Sequence, residues 1–323
     1  KRTFLLCFIL LGWLHSAFGQ ATFNIDGFSK QYYGKVYFSD TTQTASAGWV
    51  EVYDRATNKK LIHVDANELS FDLYDNPQKA YITKIPYEEQ SAILYKDFNF
   101  DGVKDFAIID GFRNWTLGHS FKIFLASSKR FVFSDSFTEL TQDNQGMFTV
   151  NAINKTISTK SKIGDTWYQY SDYIVENNKP KLIRRHTDDY EHAPFYRETI
   201  EELKGNKMVK TTRSSLALER YHIEECFKFH VDKVNKDIIL CNFYDDRLYY
   251  VILDAKQNVE FYYPFEELRQ TSDFIFYRKN GKLTFKNKDA SYTIYDKSGK
   301  IGVDITYKGK THQWKGNAKS RRG

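Results

Sequence analysis

Between residues 97 and 105 the chain reads Asp-Phe-Asn-Phe-Asp-Gly-Val-Lys-Asp, the most concentrated chemistry in its 323 residues. Oxygen-bearing side chains stand at the first, third, fifth and ninth positions, with glycine at the sixth. That is the spacing with which a loop wraps a hard divalent cation: odd positions turn Asp97, Asn99 and Asp101 inward together, Gly102 permits the reversal, Val103 offers its carbonyl and Asp105 closes the shell. The donors are all oxygens, with no His or Cys in the run, which suits Ca²⁺ over Zn²⁺. A shell of about six to eight oxygens with room for water also suits Ca²⁺ better than the stricter Mg²⁺. The twelfth position is Ile108, so the bidentate glutamate of an EF-hand is missing, and the flanks 91–96 and 106–110 read as strands. The expectation is a calcium loop between strands, its ion structural. The alternative is an Asx-rich turn whose side chains cap their own amides.

Directly after this loop, Gly111 to His119 holds Phe112, Arg113 and Trp115 among glycines. These residue types are enriched where proteins bind proteins, so the three are a candidate partner-binding tip. Trp115 folded back as a plug on the core, or stacked on a glycan, are the other uses of the same residues. Cys226 and Cys241 are a candidate disulfide. A turn at Asn235-Lys236 would leave them out of register, whereas one centred on Lys233-Val234 would place them opposite each other. The cluster Arg184, Arg185, His186, Asp188, Asp189, Glu191 and His192 reads as a solvated linker, and His222 and His230 as strand-surface histidines. No Gly-x-Ser-x-Gly, His-Glu-x-x-His, Walker or dinucleotide glycine pattern is present, so no enzyme class is nominated and no catalytic residue is assigned.

The elements that must position these residues are strands. Tyr, Phe and Trp make up 17% of the chain, a bias that fits pleated, half-buried surfaces, and short β-branched and aromatic runs recur between turn signals. Runs expected as strands include Tyr33–Phe38, Trp49–Asp54, Tyr81–Ile85, Phe106–Asp110, Phe121–Ala126 and Thr166–Val175. Tyr196–Leu203 carries some helical pattern, but the Gly205-Asn206 turn that follows favours a hairpin. From Ile238 to Trp314 a meander is legible, with Asn280-Gly281 as a tight turn. The fold class is therefore all-β: antiparallel sheets, a propeller-like or sandwich module over 20–190 and an antiparallel meander over 191–323. Basic and acidic residues, 47 and 41, are interspersed, which argues against a nucleic-acid partner. Lys315, Lys319, Arg321 and Arg322 read as a solvated tail.

Lys1-Arg2, an apolar run from Phe4 to Leu14 and Ala17-Phe18-Gly19 have the layout of a secretory signal peptide, with cleavage expected after Gly19. The run is short for a span, Cys7 lacks a lipoprotein context, and no later segment is long and apolar enough to cross a membrane as a helix. A periplasmic or secreted protein without a membrane span follows.

Taken together, the run Asp97–Gly111, the following Lys122–Leu140 and Thr156–Asp165, and the basic Lys179–Arg185 resemble bacterial periplasmic proteins with an FG-GAP-like calcium loop. The resemblance covers about 81–186 and does not extend beyond about 190. That family includes immunity proteins that inhibit lysozyme-like, peptidoglycan-cleaving effectors of type IV and type VI secretion. It implies a β-rich, propeller-like module, a Ca²⁺ role for Asp97, Asn99, Asp101, Val103 and Asp105, and a protein partner in interbacterial competition. The inhibitory surface is not part of the shared motif. A calcium-stabilised envelope module that binds a glycan or surface protein, without inhibiting anything, is the alternative.

Overall fold

A computed structural model of the chain describes residues 19–70, 91–128, 130–192, 194–220, 226–243, 247–265 and 274–323. The leader up to residue 18, the strand expected at Tyr81–Ile85 and His222 lie outside these residues. The described chain is all-β but for one helix and one short 3-10 turn. Ala21–Ile25 (β1), Tyr32–Phe38 (β2), Ala45–Asp54 (β3) and Lys60–Ser70 (β4) form one antiparallel sheet in that order. Ile93–Lys96 (β5), Asp105–Asn114 (β6), Gly118–Ser127 (β7) and Arg130–Phe133 (β8) form a second. After the helix Asp135–Gln142 (α1) come Thr149–Asn151 (β9), Thr156–Ile163 (β10), Trp167–Glu176 (β11), Lys179–Asp189 (β12), Phe195–Lys204 (β13) and Lys207–Leu216 (β14), a six-stranded meander. Cys226–Val231 (β15), Lys236–Phe243 (β16), Arg247–Leu253 (β17) and Val259–Tyr263 (β18) make a fourth sheet. Ile275–Tyr277 (β19), Lys282–Asn287 (β20), Ala290–Lys297 (β21), Lys300–Tyr307 (β22) and Lys310–Lys315 (β23) make the fifth. Asn317–Arg322 (β24) joins the free side of β15. Apart from β24, every sheet is a meander of consecutive strands, the construction of a propeller blade.

The period-two pattern sets which face is buried. In β4, Ile62, Val64 and Ala66 are buried while His63, Asp65 and Asn67 face out. Register shifts at Gly48, where an added Cβ would lie 1.9 Å from the Tyr37 carbonyl oxygen, so the sheet closes there only on glycine.

The chain divides into two compact units: Lys1–Ser161 with Asp172–Leu182, and Lys162–Ser171 with Ile183–Gly323. Strands β10 to β12 thus contribute residues to both, and the division lies before the 190/191 boundary read from the sequence. The first unit's core joins Val36, Phe38, Val50 and Val52 to Phe106, Ile108, Phe121, Ile123 and Phe137. The second unit holds two clusters, one around Phe229, Tyr250, Phe285 and Tyr292 and one around Cys241, Tyr249 and Phe195.

Some expectations change, and one element was not read from the sequence. The segment 135–142 is helical, and its purpose is visible only in three dimensions: Thr138 and Thr141 accept the amides of Ile123 and Phe121, satisfying donors along β7. The basic C-terminal residues are not a solvated tail but include β24, because β15 offers an unpaired edge and Arg321 finds Asp296. The cluster 184–189 is not a linker but the end of β12, where the facing β13 supplies counter-charges: Arg185 pairs with Glu201 and His186 with Glu198. The Tyr196–Leu203 segment is the hairpin strand β13, paired with β14 across Gly205-Asn206. At 278–281 only Gly281 adopts a positive φ, after a 3-10 turn.

Candidate functional site

The pairing Lys96↔Asp105 closes the loop between β5 and β6. Its residues alternate in role. Phe98 is buried against Phe148, and Phe100 packs on the first unit's core, so the aromatic positions anchor the loop. The oxygen-bearing positions between them face one another: the Asp97 carboxylate accepts the Gly102 amide at 2.9 Å, and Asp101 accepts the Val103 amide at 2.8 Å. Asn99 donates to Asp101 at 3.0 Å and accepts its amide at 3.3 Å. These are the Asx bonds of the turn. The reversal is carried by positive φ at Phe100 and Gly102, and since nothing lies near a Cβ added to Gly102, its conformation rather than space requires glycine.

Asp105 is fully buried and accepts the amides of Phe98 and Ala126, both at 2.8 Å, tying the loop to β7. Burial pushes its carboxyl up to about 6; the two amides oppose this, and the nearby Asp101 and Asp97 carboxylates add to it. Asp97 Oδ1 is buried without a hydrogen-bond partner. A buried, unpartnered carboxylate oxygen beside further carboxylates fits a cation. Among the described residues no three His, Cys, Asp or Glu side chains are grouped so as to hold a metal ion by themselves.

One participant was invisible in the motif. Asn178, at the β11–β12 turn, accepts the Asn99 side-chain amide at 3.1 Å from 79 residues away. The Asn177-Asn178 pair, with positive φ at both, was readable as a turn but not as a neighbour of the loop.

At the far end of β6 lies the hairpin to β7. Asn114 accepts the amides of Thr116 and Leu117, and the carbonyls of these two residues accept from the Gln145 side chain and the Gly146 amide. The tip is thereby braced from both sides. Trp115 is 94% exposed and does not plug the core. Its ring meets Phe112 edge-on at 5.3 Å, and Phe112 in turn meets His119. Burial holds the His119 imidazole below its ordinary value, against a bond to the Gly111 backbone, so it supports Phe112 as a neutral ring. Arg113 is exposed beside them.

No protein-family model matches the chain, and no curated protein matches it. Solved structures similar to it include a protein related to a Xanthomonas type IV secretion system, at 20% identity and TM-score 0.45, covering 58% of this chain and 92% of that one. TolB from Acinetobacter baumannii is similar at 8% identity and TM-score 0.22 over 91% of this chain and 65% of its own. The WD40 domain of Toxoplasma gondii coronin is similar at 7% and 0.21, over 92% and 73%. None of these likenesses assigns a role to a residue.

Cys226 and Cys241 stand directly opposite, with the turn at 232–235, and are joined by a disulfide with a Cα separation of 4.5 Å. His230 donates from Nδ1 to the Asp237 carboxylate at 2.8 Å and lies beside Asp232 on a strand surface. No helix among the described residues is long and apolar enough to cross a membrane.

Proposed function

We propose that this chain is an exported, non-enzymatic binding protein that neutralises a lysozyme-like, peptidoglycan-cleaving effector by covering its cleft, with Ca²⁺ fixing the 97–105 loop. The β6–β7 tip carries this reading: a fully presented tryptophan, backed by Phe112 and flanked by Arg113, sits on a turn whose polar groups are already satisfied. Such a tip has little ordering entropy left to lose on binding, and Trp and Arg are the side chains that dominate interface energies. β6 begins at Asp105 and ends at the tip, so a stiff loop at one end steadies the contact at the other. Asp97, Asn99, Asp101 and the Val103 carbonyl would hold the ion, with Asp105 anchoring the loop. The ion would supply positive charge to a group of carboxylates that otherwise repel one another. The signal-like leader supplies the periplasmic location.

The test is inhibition of lysozyme-type muramidases on peptidoglycan sacculi by the chain lacking residues 1–19. Wild type is expected to slow hydrolysis, and Trp115→Ala to weaken that by about 30-fold, near 2 kcal/mol of binding, at an unchanged unfolding midpoint. Inhibition retained by Trp115→Ala would move the contact off the tip. No inhibition, together with co-sedimentation of the protein on sacculi, would replace the inhibitor with a glycan-binding envelope module.

A further inference from the structure

The core of the second unit is open at one end. Phe229, Ile238, Tyr250, Phe285 and Tyr292 are buried on facing strands. Two residues further along the same five strands, on the same faces by the period of two, stand Phe227, Leu240, Leu248, Leu283 and Ile294. These residues line a cavity of about 860 Å³. That volume lies within the range of ligand pockets, about 300–1,000 Å³. Phe276 of β19 forms a further wall although 59% of it is exposed.

Among the described residues the charges at the rim are one ion pair and an excess of basic side chains. Arg321 lines the cavity, its guanidinium over the Phe227 ring, and its Nε donates to Asp296 Oδ2 at 2.8 Å. Asp296, the acid in the lining, is thereby neutralised, while the Arg321 Nη groups make no hydrogen bond among the described residues. Gly281 also lines the cavity and joins Asp296 through a backbone bond, which brings the exposed turn residues Arg278 and Lys279 to the same edge. Lys297 reaches the Lys279 carbonyl there. An apolar interior under a basic rim selects a molecule that is apolar along its length and anionic at one end.

We propose that this cavity binds a linear amphipathic anion, the class of a free long-chain carboxylate, with its tail among Phe227, Leu240, Leu248 and Leu283 and its head group at Arg321 and Lys279. The proposal is independent of the inhibitor reading, since it uses neither the loop nor the tip. The experiment titrates dodecanoate into the chain lacking residues 1–19, by calorimetry and by displacement of 8-anilinonaphthalene-1-sulfonate fluorescence. Saturable 1:1 binding is expected, with dodecanol, which has the same tail and no charge, at least about tenfold weaker. Arg321→Gln, at an exposed position, should weaken dodecanoate about tenfold and leave dodecanol unchanged. Leu283→Glu should abolish both. Should Leu283→Glu fail to fold, the Arg321→Gln comparison decides alone. Equal affinity for the acid and the alcohol, no saturation below about 1 mM, binding unaffected by Arg321→Gln, or binding to anionic phospholipid vesicles without uptake of monomeric dodecanoate would each overturn it.

Discussion

Asp101 and Asp105 are both acidic members of one loop, yet the structure gives them different work. Asp101 bonds only to neighbours within the turn, whereas Asp105 is buried and satisfies two backbone amides, that of Phe98 in the loop and that of Ala126 on β7. Two variants therefore separate ion binding from scaffolding. A Ca²⁺ concentration about 100 times its dissociation constant stabilises the native state by about 2.7 kcal/mol. The unfolding midpoint should rise accordingly over the chelated protein in wild type, and far less in Asp101→Ala. Asp105→Ala should lower the midpoint even in chelator, because it strands two amides at a cost of about 1–3 kcal/mol each. Coincident wild-type curves with and without Ca²⁺ would leave the loop as an Asx turn alone. The spacing of the loop's donors was legible in the sequence. The assignment of Asp105 to the Phe98 and Ala126 amides was not, because Ala126 lies on another strand.

The β15–β16 hairpin shows the same contrast for an element. Its register follows from a four-residue turn at 232–235, which seats Cys226 against Cys241. The disulfide spans 15 residues, a closure worth about 3 kcal/mol in the chain-entropy account. Reduction, or Cys226→Ser with Cys241→Ser, should lower the second unit's unfolding midpoint and leave the first unit's unchanged, as hydrogen exchange resolved by peptide would show. On the same hairpin, burial alone would raise the Asp237 carboxyl, but bonds from Gln257, His230 and Lys228 outweigh it and hold it below its ordinary 3.8. A depressed acid stabilises the fold above the unfolded-state value and loses that contribution as pH falls through the folded one. Stability of this hairpin should thus decline below about pH 4, and Asp237→Asn should remove that part of the acid dependence. An acid titration identical in Asp237→Asn and wild type would discard the assignment.

At the scale of the chain, closure of the second unit depends on its last strand. β24 pairs with β15 some 90 residues earlier, and the His230 amide donates to Ser320 at 2.8 Å. Deleting residues 317–323 exposes that edge and removes the Arg321–Asp296 pair. The truncated chain is expected to lose several degrees from the second unit's midpoint and to self-associate, measurable by calorimetry and light scattering. A truncation without effect on either would return these residues to the status of a tail.

By itself the sequence determined the all-β class, the strands of the C-terminal meander, and the spacing of oxygen-bearing side chains in the 97–105 loop. Each of these rests on side-chain period, turn chemistry or ligand spacing within about a dozen residues. Tertiary structure alone decided that Asn178 meets Asn99, that acidic β13 answers basic β12, that α1 serves β7, that a basic tail is a strand, and that one core ends in a cavity. These are pairings across tens of residues, and their energies depend on which faces and edges meet. No local pattern encodes that meeting, because counter-charges, amide partners and unfilled volume exist only once distant strands lie side by side.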